Sequence, residues 1–238
     1  MRLRYRMPGL AGPIALALSL AAVAPPAWAE AAPAAPPPAA GTPGPAVPLP
    51  PPAAPAPAIL GFRSAHFGMT ETEVRTAIAD DFHLPPAAIH SSQNPVERTA
   101  VLMVRVTDLA PGTGGAIVSY VFGYQSHTLI EVNVVWSKVS DARLTPEQLA
   151  VIGARLQAYF AGEGFPPADT AMNVALPDGV LLFRTSDAAG RAIALILSGQ
   201  VRNDAKTAKR VLTPSALSLA YAADAPHPDV FRLEKGSF

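Results

Sequence analysis

The 238-residue sequence contains no cysteine, and only 15% of its residues are charged. Without cysteine the chain cannot form a disulfide, a thiolate zinc site, an iron–sulfur cluster, a cysteine nucleophile or a lipidated amino-terminal cysteine. The formal net charge is zero, and residues 30–238 carry 15 basic and 18 acidic side chains. Because nucleic-acid-binding domains carry a clear positive excess, this balance argues against a nucleic-acid partner.

Residues 1–29 have the organisation of a secretory signal peptide. Three arginines within the first six residues precede an apolar stretch over residues 10–24, and Ala27 and Ala29 provide the small residues of a cleavage site. The apolar stretch is shorter than the ~20 residues of a membrane span. We expect cleavage after Ala29 and a periplasmic or otherwise extracytoplasmic location. An uncleaved signal that anchors the chain is the alternative, and it is the one case in which we expect a membrane contact.

Residues 30–57 form a segment made almost entirely of alanine and proline, with 12 of the 27 prolines of the chain. Such a composition buries too little apolar surface to fold, and proline favours an extended polyproline II conformation. We predict a disordered linker, which acts as a spacer if its far end is held and as a solvated tail if it is not. The globular part then begins at residue 58.

Two helix starts of the same kind occur in the sequence, one in each half of the globular part. Thr70 is followed by Glu73, and Thr145 is followed by Gln148, which is the spacing of a capping box. Apolar residues recur at helical spacing after each start, and Pro146 occupies a favoured first helical position. Each start therefore predicts an amphipathic helix.

Short strands are predicted after each helix, so the fold class is α+β. We predict two units, 58–140 and 141–238, in a tandem α-β-β-β repeat with antiparallel sheets, and a short strand near residues 60–66. The alternative is one mixed sheet in which the similarity of the halves is coincidental. The strands are expected at residues 99–109, 116–124, 128–137, 180–185, 191–198 and 216–223.

The second and third strands of the first unit fit one hairpin register. Pairing Tyr120 with Val132 and Phe122 with Ile130 places apolar side chains on one face. The other face then carries Ser119, Val121, Gly123, Glu131 and Asn133. This division is typical of an antiparallel sheet that is covered on one face.

The run Phe67-Gly68-Met69-Thr70, with Val74 four residues further on, resembles the helix-opening motif of the SmpA/OmlA (BamE) outer-membrane assembly modules. The doubled helix-plus-sheet arrangement is similar to the tandem fold of the β-lactamase-inhibitory proteins. The motif covers about eight residues, and the rest of the resemblance is architectural. It implies short helices against antiparallel sheets, an extracytoplasmic compartment and protein partners.

Motifs of catalysis and cofactor binding are missing from the sequence. The five histidines include no pair at i,i+4 spacing, and there is no Gly-x-Ser-x-Gly or Walker motif. The glycine-rich residues 111–115 are predicted to be a flexible hairpin loop. We therefore predict no catalytic, cofactor-binding or metal-binding residues.

Two surfaces are candidates for binding a partner. The first is the predicted outer sheet face, with Arg105, Ser119, Glu131 and Asn133, although an exposed ion pair between Arg105 and Glu131 is the simpler interpretation. The second is a basic cluster that would line one face of a helix and meet an anionic partner, although a solvated connector between strands is the simpler interpretation. This cluster consists of Arg202, Lys206, Lys209 and Arg210.

We therefore expect a secreted envelope module, without catalytic activity, that binds or assembles with another envelope protein. One alternative function is a secreted inhibitor of an extracellular hydrolase. The other is an enzyme whose site is assembled from scattered Asp, His and Arg residues. The oligomeric state and the identity of the partner are not indicated by the sequence.

Overall fold

The computed structural model describes residues 57–203, 210–233 and 236. The predicted signal peptide (1–29) and the predicted linker (30–57), except for Pro57, lie outside the described residues. The described residues contain two α-helices, a large antiparallel sheet and a small two-stranded sheet. The predicted α+β class is confirmed.

Each helix is followed by a short 3-10 turn and then by four strands. The helices are α1 (Glu71–Phe82) and α2 (Pro146–Gly162), and the turns are Pro86–Ala88 and Pro167–Asp169. The strands are β1 (Gly61–Phe62), β2 (Ala65–His66), β3 (His90–Gln93), β4 (Ala100–Val106), β5 (Ala116–Phe122), β6 (Leu129–Ser137), β7 (Ala171–Leu176), β8 (Gly179–Ser186), β9 (Ala192–Asn203) and β10 (Arg210–Ala222).

The eight strands from β3 to β10 form one continuous sheet in the order β3-β4-β5-β6-β10-β9-β8-β7. The last strand of each half meets the other at the centre, where Leu219 of β10 lies opposite Val134 of β6. Both predicted units therefore contribute to a single sheet. The strand predicted near residues 60–66 is the small hairpin of β1 and β2.

Both helices begin at the predicted capping boxes. The backbone N–H of Glu73 donates to the Thr70 hydroxyl at 3.4 Å, and the N–H of Thr70 donates to the Glu73 carboxylate at 2.8 Å. The corresponding distances between Thr145 and Gln148 are 3.2 and 2.9 Å. These bonds satisfy amide groups that the first turn of a helix leaves without a partner.

Replacing Thr145 with alanine is expected to lower the free energy of unfolding by about 1 kcal/mol, because the hydroxyl that accepts from Gln148 is lost. Chemical denaturation followed by circular dichroism measures this loss. Thr145→Ser keeps the hydroxyl and is the matched control. Equal stability of Thr145→Ala and the wild type would contradict a stabilising role for the cap.

The predicted register of the hairpin holds along most of β5 and β6. Tyr120 lies opposite Val132 and Val118 opposite Val134, as predicted. A register shift after Val121 places Phe122 opposite Leu129 instead of Ile130. Leu129 consequently enters the core, whereas Ile130 is half-buried. The alternation of apolar residues does not reveal such a bulge, because both residues are apolar.

Two strands were not predicted, and β9 and β10 are each several residues longer than predicted. The polar edge strand β3 has no apolar alternation, and in β7 the left-handed Asn173 (φ 56°) interrupts the pairing. The predicted connector at residues 200–214 is instead the paired ends of β9 and β10, as far as the structure describes it. Among the described residues, each helix is therefore followed by four strands rather than the three that were predicted.

One continuous core lies between the helices and one face of the sheet. Val74 and Ile78 of α1 and Leu149 of α2 join the same buried cluster as the inward side chains of the strands. Trp136 of β6, 1% exposed, lies opposite Leu217 of β10 at the junction of the two halves. The packing of each half therefore depends on the other.

The segment after β10 crosses the turn between β5 and β6. The backbone N–H groups of Gln125 and Ser126 donate to the Asp229 carboxylate at 3.0 and 2.8 Å. The guanidinium of Arg98 lies 3.7 Å from the centroid of the Phe231 ring. Residues 226–233 of this segment are irregular, because Pro226 and Pro228 have no N–H group to donate to a neighbouring strand.

Candidate functional site

The two faces of the sheet differ in what covers them. On β4, β5, β6, β10, β9 and β8, alternate side chains point inward toward both helices and join the core. The remaining side chains point outward, and within residues 57–203 and 210–233 neither helix packs against them. The outward face is therefore a large surface against which the described helices do not pack. Most of its side chains are half-buried, and Ala192, Ala194 and Ile196 of β9 are buried.

The outward residues line up in three rows of six, because the pairing of these six strands is continuous there. The first row is Arg105, Ile117, Val135, Ser218, Ile196 and Leu181. The second row is Met103, Ser119, Asn133, Ala220, Ala194 and Arg184. The third row is Val101, Val121, Glu131, Ala222, Ala192 and Ser186. We call these three rows together the outward patch.

The outward patch is poor in charge and rich in apolar side chains. Most of its residues are apolar, and Arg105, Glu131 and Arg184 are its three charged residues. Its centre, on β10 and β9, consists of four alanines, at positions 192, 194, 220 and 222. Depletion of charge is a compositional mark of the cores of protein–protein interfaces.

All four residues of the first candidate surface lie in the outward patch. Ser119 is opposite Asn133, and the amide nitrogen Nδ2 of Asn133 donates to Oε1 of Glu131 at 2.6 Å. Arg105 lies two rows from Glu131, and its guanidinium donates to the carbonyl oxygens of Val139 and Ser140 at 2.6 and 2.5 Å. The ion pair considered between Arg105 and Glu131 is therefore not formed.

Glu131 is a half-buried carboxylate in the outward patch. Burial raises its pKa, the hydrogen bond from Asn133 lowers it, and the nearby negative charge of Glu97 raises it again; the net shift is upward. An ionised Glu131 is thus poorly solvated and has one amide as its hydrogen-bond donor. A cation placed over the patch would stabilise the ionised form.

Glu131→Gln is expected to raise the melting temperature at pH 7 and to leave it unchanged near pH 4. Because the pKa is higher in the folded state than in the unfolded chain, ionisation of Glu131 costs stability as the pH rises through the folded-state value. Gln keeps an oxygen that can accept from Asn133. Thermal unfolding from pH 4 to pH 8 tests this, and a variant less stable at pH 7 than the wild type would contradict it.

Arg184 was not predicted as a site residue. It lies between Ala194 of β9 and Ala171 of β7, and burial among these neighbours lowers the pKa of its guanidinium. None of the ion pairs among the described residues includes Arg184. The alternation along β8 does signal an outward arginine, but the alanines beside it come from strands whose pairing the sequence does not reveal.

The second candidate surface is only partly described. Arg202 lies on β9 and Arg210 on β10, while Lys206 and Lys209 lie outside the described residues. Arg202 is opposite Val211, so Arg202 and Arg210 point to opposite faces of this strand pair. The guanidinium of Arg210 donates to the carbonyl oxygens of Leu176 and Pro177. These two arginines are therefore on strands rather than on one helical face.

A shallow depression of about 380 Å³ lies where the predicted glycine-rich loop meets the start of α2. Its lining includes Asp108, Asp141 and Arg143, and the hydrogen bonds from Arg143 hold the pKa of Asp141 well below its usual range. Asp141 also accepts from the N–H of Gly115 at 3.3 Å, so it fixes the loop. In the described ranges no three His, Asp or Glu side chains are grouped to hold a metal ion.

Comparisons with protein-family models, curated proteins and solved structures find no match for this chain. Among the described residues, neither helix has the length and apolarity needed to cross a membrane. The functional argument therefore starts from the outward patch.

Proposed function

We propose that this protein is a non-catalytic extracytoplasmic module that docks a partner protein on the outward patch. The observation that carries the proposal is the contrast between the two faces of one sheet. One face is filled by two helices, whereas the other presents three aligned rows with only three charged side chains. A sheet face this poor in charge has the composition found in the cores of protein–protein interfaces.

The size of the outward patch suits a protein partner. Strands lie ~4.8 Å apart and outward residues on one strand ~6.8 Å apart, so three rows of six positions span about 600 Å². A standard protein–protein interface buries about 800 Å² on each partner. The sheet area of the patch is therefore of the same order as one side of an ordinary interface.

The charges of the outward patch define the chemistry of the partner. Glu131 and Arg184 have opposite charges and lie at opposite sides of the central alanines. A partner surface that is apolar in the middle, with a basic residue over Glu131 and an acidic residue over Arg184, would stabilise both charged groups. Such complementarity fixes orientation and discriminates against other partners.

Duplication of an ancestral unit is part of the proposal. Both halves have the order helix, 3-10 turn and four strands, and both helices begin at a capping box. An apolar residue followed by Pro-Pro-Ala comes after each helix, at residues 84–87 and 165–168. These repeated features support duplication over coincidental similarity. They also agree with the doubled arrangement that the resemblance implies.

The proposed setting is the bacterial envelope. The signal-peptide pattern of residues 1–29 supports export, and the alanine- and proline-rich residues 30–57 support a linker. With the signal cleaved, the module would diffuse in the periplasm; with the signal retained, the linker would be a spacer between the membrane and the domain. The proposed partner in either case is another envelope protein.

In-cell photo-crosslinking tests the proposed function. A photoreactive amino acid at Ser218, in the outward patch, is expected to give a discrete protein adduct that a second substitution, Ala220→Arg, removes. The same amino acid at Ala154, exposed on α2, is the matched control and is expected to give none. Equal adducts at both positions, or no adduct at Ser218, would contradict docking on the outward patch.

Inhibition of a secreted hydrolase is a second candidate function. The specific observation in its favour is that a helix followed by four strands occurs twice, which agrees with the doubled helix-plus-sheet arrangement that the resemblance implies. The purified domain is then expected to inhibit one member of a panel of secreted hydrolases at one-to-one stoichiometry. A panel without inhibition would remove this candidate, whereas inhibition that survives Ala220→Arg would place the inhibitory surface outside the outward patch. The hypothesis that this protein is an enzyme stays a prediction. The depression beside Asp141 is the place where we would look for its site.

A further inference from the structure

We infer that the outward patch binds a second copy of this chain, forming a symmetric dimer in which the two outward faces pack together. The inference rests on the proposed function, because it names a partner for the same surface. What carries it is that the outward patch is complementary to itself. The chemistry required of a partner is an apolar centre flanked by one acid and one base, and this chain presents that arrangement.

A two-fold axis converts opposite charges on one face into matched pairs between two faces. In a symmetric interface, if residue i contacts residue j of the partner, then j contacts i. Glu131 and Arg184 lie three strands and one row apart, which is about 16 Å at ordinary sheet spacing. Consider a two-fold axis that lies in the plane of the interface and bisects the line from Glu131 to Arg184 at a right angle. This axis brings Glu131 of each copy to Arg184 of the other. One operation therefore gives both half-buried charges an ionic partner.

The alanines lie where this axis passes. With strands ~4.8 Å apart and outward residues ~6.8 Å apart, Ala220 and Ala192 fall within about 1 Å of the axis. Residues on a two-fold axis face their own copies, so small side chains there let the sheets approach without a clash. Apolar side chains lie beside them in the first row, at Val135, Ile196 and Leu181. The layout is thus a small-residue centre with apolar residues along one side and polar residues on both flanking strands.

No other charge interferes with this arrangement within the three rows. Arg105 is the third charged residue of the outward patch, and its guanidinium already donates to two carbonyl oxygens at the edge of the sheet. The remaining polar residues of the rows are three serines and Asn133, and the Asn133 amide supports Glu131. The dimer therefore buries two ion pairs and leaves no like charges opposed among these rows.

Charge exchange tests the inference on the purified domain. Sedimentation velocity over a concentration series is expected to show a monomer–dimer equilibrium for the wild type. Glu131→Arg and Arg184→Glu are each expected to weaken it at least about 10-fold, because like charges then meet across the interface. The double variant restores opposite charges and is expected to recover most of the affinity. Arg155→Glu, at an exposed position of α2 away from the patch, is the matched control.

A second measurement does not depend on the folding of the charge variants. Because the chain has no native cysteine, Ala220→Cys provides one thiol near the axis. A short bis-maleimide is expected to link Ala220→Cys to its own copy, whereas Ala154→Cys on α2 is expected to remain monomeric. Circular dichroism confirms that each variant is folded.

A wild type that stays monomeric up to millimolar concentration would overturn the inference. A double variant that dimerises no more tightly than the single variants would overturn it as well. So would bis-maleimide crosslinking of Ala154→Cys to the same extent as Ala220→Cys. These outcomes leave the proposed function standing if photo-crosslinking at Ser218 captures a different envelope protein in cells. If the domain forms no dimer and photo-crosslinking at Ser218 also captures no protein, the proposed function is contradicted too.

Discussion

Trp136→Ala is expected to destabilise the whole domain by about 3–5 kcal/mol and to loosen both halves together. Trp136 is 1% exposed and lies opposite Leu217, where the first half of the sheet meets the second. Its removal leaves a cavity at the junction of a continuous core, and folded domains are stable by only ~5–15 kcal/mol. Chemical denaturation gives the loss in free energy, and hydrogen exchange of α1 and α2 shows which half opens.

Two variants distinguish loss of packing from other effects of the Trp136 substitution. Trp136→Phe keeps an aromatic ring and is expected to lower the free energy of unfolding less than Trp136→Ala does. The indole N–H of Trp136 has no hydrogen-bond partner among the described residues, so neither variant loses such a bond. Val139→Ala, at a position that is 72% exposed, is expected to change stability by no more than about 0.5 kcal/mol. Faster exchange in α2 with unchanged exchange in α1 would contradict a shared core.

Ala220→Arg is expected to weaken binding to any partner of the outward patch by at least about 100-fold while leaving the fold intact. Ala220 points outward at the centre of the patch, between Asn133 and Ala194. An arginine there places a long side chain in the middle of the interface, where the two surfaces approach over small residues. It also lies within diagonal reach of Glu131 and would take this carboxylate from a basic group of the partner. We expect the two effects together to reach the free-energy equivalent of a 100-fold change, about 2.8 kcal/mol.

Ala154→Arg is the matched control for this prediction, because it adds the same side chain at an exposed position of α2. Both variants are expected to keep the far-ultraviolet circular dichroism spectrum of the wild type. Dissociation constants from sedimentation or titration then separate them. Full binding by Ala220→Arg would exclude the centre of the outward patch from the interface.

The features that the sequence predicts well are those with a local physical cause. The two capping boxes depend on side chains three residues apart, so Thr70 and Thr145 mark both helix starts. The register of β5 and β6 depends on a strict alternation of apolar residues, so the pairing of Tyr120 with Val132 is predictable. The same alternation places Glu131 and Asn133 on the outward face.

The features that the sequence does not predict depend on contacts between distant segments. Polar β3 and the interrupted β7 become strands because each pairs with a longer neighbour. The pairing of β6 with β10 joins segments that are far apart in the chain, so one sheet and two sheets are equally compatible with the repeat. Arg184 gains its alanine surroundings from β7 and β9, and the hydrogen bonds that hold Arg105 come from the loop after β6.

The central claim, that the outward patch is covered by a protein in the native setting, is tested most directly by thiol accessibility. The chain has no native cysteine, so Ser218→Cys in the outward patch and Ala154→Cys on α2 each provide a single reporter. In the dilute purified domain both are expected to react with a maleimide. In intact envelopes, Ser218→Cys is expected to react at least about 10-fold more slowly while Ala154→Cys keeps its rate. Equal reactivity of Ser218→Cys in both settings would show a patch open to solvent and would contradict the account.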